Sequence, residues 1–172
     1  MRPFGFWKEC QSRKPRIHRY DPKAPEPWRP KLGKAGEYIT VVKGSPAFDV
    51  DDLVWIPDMW RPLRKQDDGR WLIEYPSDSI NTVTRVEEDP PLGFDYAAWD
   101  RRLQSLMDAI PPKEAYAEWQ GAETMPMHLA RLWLWVRKIE KRRTYPGGPG
   151  VYDVTFERID RPSLDLMERN AA

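Results

Sequence analysis

Residues 125–143 read MPMHLARLWLWVRKIEKRR, and how this stretch is read sets the helical content of the fold. At helical spacing Met125, Leu129, Leu132, Val136 and Ile139 make one apolar stripe, with Trp133 and Trp135 at its borders. Thr124 stands where an N-cap belongs. Arg137, Lys138, Lys141, Arg142 and Arg143 load the last turns, where the helix dipole favours cations. At roughly 100° per residue, Leu134 falls opposite the stripe, beside Arg131, Lys138 and Lys141. Such a run, apolar almost all round, belongs either to a helix at the centre of the core or to one docked on a partner; the reading adopted is a central core helix.

Working outward, Pro146-Gly147-Gly148-Pro149-Gly150 is a turn, and Val151–Ile159 alternates like a strand, with Tyr152, Val154 and Phe156 on one side. Upstream, Tyr96, Trp99, Leu103, Leu106 and Ile110 recur at +3 and +4, which predicts a helix over Tyr96–Ile110 capped by Asp95. Pro111-Pro112 stops it, and a short helix is expected over Lys113–Gln120, closed by Gly121. Before these come strand-like runs: Glu37–Lys43, Leu53–Ile56, the hairpin Arg61–Gln66/Arg70–Tyr75 around Asp67-Asp68-Gly69, and Asn81–Glu87. Strands grouped ahead of helices, with one strand returning, predict an α+β fold. Its expected form is a small, mostly antiparallel sheet of about five strands packed with two longer helices and one short helix.

The first 36 residues read differently. They hold ten Lys/Arg against three acids, six prolines and five aromatics, a net charge of +7 against −6 for the remainder of the chain. Prolines at this density push their neighbours toward extended conformations. The expected organisation is therefore an extended basic N-terminal arm over 1–36, a single α+β domain over 37–160, and a polar C-terminal tail over 161–172.

Bulk properties exclude several classes. The single cysteine, Cys10, cannot form an intramolecular disulfide or a cysteine-based zinc site. No apolar run follows Met1, and the longest, Leu132–Val136, is five residues between Arg131 and Arg137. A spanning helix needs ~20, so no export signal, no transmembrane segment and no membrane partner are expected, and the chain is placed in the cytoplasm or in a virion.

The arm is the first candidate contact surface, with Phe4, Trp7, Arg13, Lys14, Arg16, Arg19, Tyr20, Trp28 and Arg29 as its partner-binding residues. Cations interleaved with aromatics suit single-stranded nucleic acid, while dense prolines suit a protein groove equally. The loop carrying Trp55, Trp60 and Arg61 is the second, because Trp and Arg are enriched at interface hot spots. Arg137, Lys138, Lys141, Arg142 and Arg143 form a strip able to contact phosphate.

Catalysis finds little support. Asp49-x-Asp51-Asp52 and Glu87-Glu88-Asp89 bring carboxylates together, but the strand ending Glu74-Tyr75-Pro76 lacks the lysine of a magnesium-dependent nuclease core. His18 reads as part of the arm's polar surface and His128 as a packing residue. No nucleophile elbow, Walker loop or dinucleotide fingerprint occurs. No catalytic residue, metal, cofactor or small-molecule substrate is predicted. The sequence reading is a non-enzymatic, Trp-rich assembly component, with a virus or phage particle as the setting to try first, whose arm docks on neighbouring protein subunits. The alternatives are a nucleic-acid-binding accessory protein and, third, an uncharacterised enzyme.

Overall fold

The computed structural model describes residues 15–22, 24, 29–77, 81–142 and 150–170. These form two compact units, one from the chain up to Ile56 and from Arg131 onward, the other from Pro57–Ala130.

The first unit is built on β1 (Ile17–Arg19), β2 (Lys31–Leu32), β3 (Tyr38–Lys43), β4 (Leu53–Ile56), β8 (Leu132–Lys141) and β9 (Val151–Ile159), while β5 (Arg61–Lys65), β6 (Trp71–Tyr75) and β7 (Val83–Val86) belong to the second unit. They form one mixed sheet in the order β1-β4-β8-β9-β3-β2, in which only β1 and β4 run parallel. Val54, Leu134, Val136, Val154 and Phe156 bury one face together with Tyr20 and Phe48. Leu53, Trp55, Trp133, Trp135 and Ile159, also buried, belong to the opposite face. A short helix, α2 (Leu164–Asn170), follows the last strand.

The helix expected over Met125–Arg143 does not form. Met125 precedes Pro126, whose ring disfavours helical torsions in its predecessor, and Met125 is extended at φ −70° and ψ 124°. A single 3₁₀ turn, Met127–Leu129, follows, and then β8 begins. Leu132, Leu134 and Val136 alternate with Trp133 and Trp135, so a run apolar on all sides is a central strand buried on both faces. The spacing that mimicked a helix has a specific origin. The register between β8 and β9 shifts between Val136 and Lys138, so Arg137 is the extra residue of a bulge. That extra residue returns Ile139 to the face of Val136, producing a +3 step inside a strand.

Nor does the short helix over Lys113–Gln120 form: Gln120 pairs instead with Trp60 as an isolated bridge, and the guanidinium of Arg61 lies over the rings of Tyr116 and Trp119 at 4.6 and 4.2 Å. These contacts hold the segment irregular. The fold is thus mostly sheet, with nine strands and one helix longer than seven residues among the described residues, and not an α+β fold with two longer helices. Within the stretch expected as a basic arm, β1 and β2 take Ile17–Arg19 and Lys31–Leu32 into the sheet at its two edges.

The second unit is an antiparallel meander of β5 (Arg61–Lys65), β6 (Trp71–Tyr75) and β7 (Val83–Val86), in that order. It is followed by α1 (Tyr96–Asp108), where Asp95 accepts the Ala98 N–H at 3.0 Å and Trp99 and Leu103 are buried. The β5–β6 turn needs Gly69 at φ +86°, a region in which a Cβ meets the following carbonyl oxygen. Gly69→Ala is expected to cost about 1–2 kcal/mol in urea denaturation.

Candidate functional site

The geometry richest in charge lies where the basic leader meets β4. Parallel pairing sets Ile17, His18 and Arg19 opposite Leu53, Val54 and Trp55, and the Leu53 N–H donates to the Arg16 carbonyl at 2.9 Å. Asp52, fully buried, lies just ahead of β4. Its carboxylate accepts from the Arg16 backbone N–H at 3.2 Å, the Arg16 guanidinium at 3.1 Å, His18 Nε2 at 2.9 Å and the Asp49 N–H at 2.9 Å. Arg16 also reaches Asp49 at 2.8 Å, and Arg19 stacks on Trp55 at 5.3 Å. A buried carboxylate is tolerable only when its lone pairs are taken up, and here three of these four donors come from the leader.

The loop that presents Asp52 is locally strained. Asp51 adopts φ +76°, which Asp tolerates better than most residues. Its side chain accepts the Trp135 indole N–H at 3.0 Å, and its N–H donates to the Val136 carbonyl at 2.8 Å. The acid run Asp49–Asp52 is thus a clamp fixed to β8 that grips Arg16 and His18.

The second unit holds a separate buried carboxylate. Glu87, 3% exposed, accepts from the Trp71 backbone N–H at 2.9 Å, from the Tyr96 hydroxyl, from Trp99 Nε1 at 3.0 Å and from His128 Nε2 at 3.1 Å. Burial alone raises its pKa, but the hydrogen bonds from His128, Tyr96, Trp71 and Trp99 outweigh it and hold the carboxyl below the usual range. The same burial and the bond to Glu87 push the Tyr96 phenol up. The Glu87–His128 pair has the form of a carboxylate–histidine dyad. In a hydrolase the far imidazole nitrogen would face a nucleophile. Here Nδ1 is buried with no hydrogen-bond partner among the described residues, and the Phe94 and Trp99 rings stand at 4.8 and 5.4 Å. The pair ties the 3₁₀ turn that carries His128 to the end of the β-meander and to α1 within the second unit. Its members carry no warning in sequence: Glu87, just after β7, reads only as the first of three consecutive acids, and His128 as a lone histidine.

The other sequence-derived candidates fall in varied places. Phe4, Trp7, Arg13, Lys14, Trp28 and Arg143 lie outside the described residues. Arg16, Arg19 and Tyr20 come together on the leader, with the Tyr20 hydroxyl 3.3 Å from Thr40 Oγ1. Arg29 Nε donates to the Ala24 carbonyl at 2.6 Å and its Nη2 to the Pro22 carbonyl. Trp55 and Trp60 are buried at 6% and 0% exposure and belong to different units; Arg61, beside them in sequence, bonds Glu74 at 2.6 Å. In the strip, Arg137 pairs with Glu157, Lys138 with Glu140 at 2.9 Å and Arg142 with Asp153 at 2.8 Å, while Lys141 is exposed. No group of three metal-ligating side chains occurs among the described residues, and none of their helices is long and apolar enough to cross a membrane. In comparisons with known proteins, no protein family matches this chain, and no curated protein or solved structure is significantly similar to it.

Proposed function

We propose that this chain is a non-enzymatic interaction protein, a component of a larger assembly, and that its basic leader is the part that docks on neighbouring subunits. The observation that supports this most directly is the way the leader binds its own body. A cationic strand adds to a sheet edge and inserts Arg16 and His18 against a buried carboxylate. Strand addition with side-chain pockets for specificity is a general mode of segment recognition, and this chain carries both halves of it. Ahead of the clamp lie Met1–Lys14, with four cations, one acid and the aromatics Phe4, Phe6 and Trp7. Phe4, Trp7, Arg13 and Lys14 are the residues proposed to meet the neighbour. A virus or phage particle is the setting to test first.

Deleting Met1–Lys14 should leave circular dichroism and melting temperature unchanged while shifting the native mass of the assembly toward the single chain. An unchanged mass distribution would remove Met1–Lys14 from the docking role. The acid partners of Arg137, Lys138 and Arg142 weigh against the nucleic-acid reading. An oligonucleotide affinity falling ~10³-fold or more between ~50 and ~200 mM salt would favour that reading instead.

A further inference from the structure

The segment joining β1 to β2 is longer than its path requires. These strands occupy opposite edges of the six-stranded sheet, a width of about 24 Å at ~4.8 Å per strand spacing. The eleven residues Tyr20–Pro30 include Pro22, Pro25, Pro27 and Pro30, and extended at ~3.1 Å per residue they reach about 34 Å. Near its end, Arg29 donates to the carbonyls of both Pro22 and Ala24. The Arg16 and Asp49 side chains of the clamp are 53% and 71% exposed, so one of its ion pairs is open to solvent. β1 itself is three residues of parallel edge pairing, the least stable kind of strand to add.

From these features we propose that the slot formed by Asp49, Asp52, Trp55 and the edge of β4 accepts Arg16–Arg19 from a second copy of this chain in place of its own. The bonds between leader and slot join residues more than thirty positions apart in sequence, so exchange between copies keeps these hydrogen bonds and ion pairs, while those of Arg29 with Pro22 and Ala24 are given up. Charge complementarity selects the occupant, because the slot presents two carboxylates and the strand presents Arg16, His18 and Arg19. Exchange of an identical element is a low-cost route to association, and the slack released when Arg29 lets go supplies the reach. The inference rests on the leader-docking reading above and names its receptor.

The test uses two full-length variants. Asp52→Arg spoils the slot and keeps the leader; Arg16→Glu with His18→Glu spoils the leader and keeps the slot. Alone, each should run as a single chain in native mass spectrometry. Mixed, they should form a one-to-one complex, since the intact leader of the first enters the intact slot of the second. Absence of that complex from two folded variants overturns the proposal. Should Asp52→Arg fail to fold, the unaltered chain mixed with an isotope-labelled copy gives the same answer: mixed complexes should form and should disappear on adding an excess of the peptide Pro15–Asp21. Complexes indifferent to the peptide overturn it. If assembly depends on Met1–Lys14 yet ignores the slot variant and the peptide, leader docking stands and the exchange into this slot falls.

Discussion

Replacing Glu87 with alanine should cost on the order of 3–5 kcal/mol, the usual loss when one partner of a buried charged network is removed. Four donors converge on this carboxylate, from the first residue of β6, two positions on α1 and the 3₁₀ turn that carries His128. Truncation takes this acceptor from the buried Trp71, Trp99 and His128 donors, while the Tyr96 hydroxyl keeps the Gly69 carbonyl at 3.3 Å. Urea denaturation followed by tryptophan fluorescence reads the effect directly, because the Trp99 indole touches Glu87. The same group makes a pH prediction. Its pKa is depressed in the folded state, where burial is outweighed by the hydrogen bonds. Its contribution is therefore fully present above the unfolded-state value of about 4.3 and disappears as pH falls through the lower folded-state value. The difference in stability between the parent and the alanine variant should accordingly shrink across that acidic window. Parallel losses in the two proteins would show that other groups carry the acid sensitivity.

Trp60→Ala is expected to cost about 3–5 kcal/mol. Trp60 is fully buried, its ring 5.2 Å from that of Trp99, with the Arg102 guanidinium 5.6 Å from its centroid. Its indole N–H donates to Thr124 Oγ1 at 3.2 Å, and its backbone exchanges two hydrogen bonds with Gln120. Tyr116, 52% exposed, provides the contrast: it should lose no more than about 1 kcal/mol on truncation to alanine, the scale of one exposed cation–π contact. Thermal and urea melts of the two variants separate these outcomes. A Trp60 variant as stable as the parent would return this residue to the class of exposed contact side chains, where its neighbours in sequence had placed it.

That contrast shows what local sequence can and cannot carry. α1 was legible because five apolar residues hold one stripe and Asp95 caps it. β3, β4, the β5–β6 hairpin and β9 were legible because alternation and glycine or proline punctuation coincide. β8 was not, because a four-residue spacing satisfies both the helical and the strand period, and the bulge at Arg137 supplied the odd step that looks helical. Only Pro126, inside the proposed helix, argued against it. β1 offered no local pattern at all. Ile17-His18-Arg19 is too short for alternation, and what makes it a strand is β4, some thirty-six residues on. The acids showed the same limit: Asp52 and Glu87 sit in runs that read as solvent-facing, and their burial follows from cationic and aromatic partners remote in sequence.

The margins of the large sheet carry a final consequence. One edge is closed by three residues that include His18 and Arg19, the other by the pair Lys31–Leu32, with Lys34 two positions on. Short, cationic borders offer little template for adding further strands one after another. Lateral growth into fibrils is thereby discouraged at both of these borders.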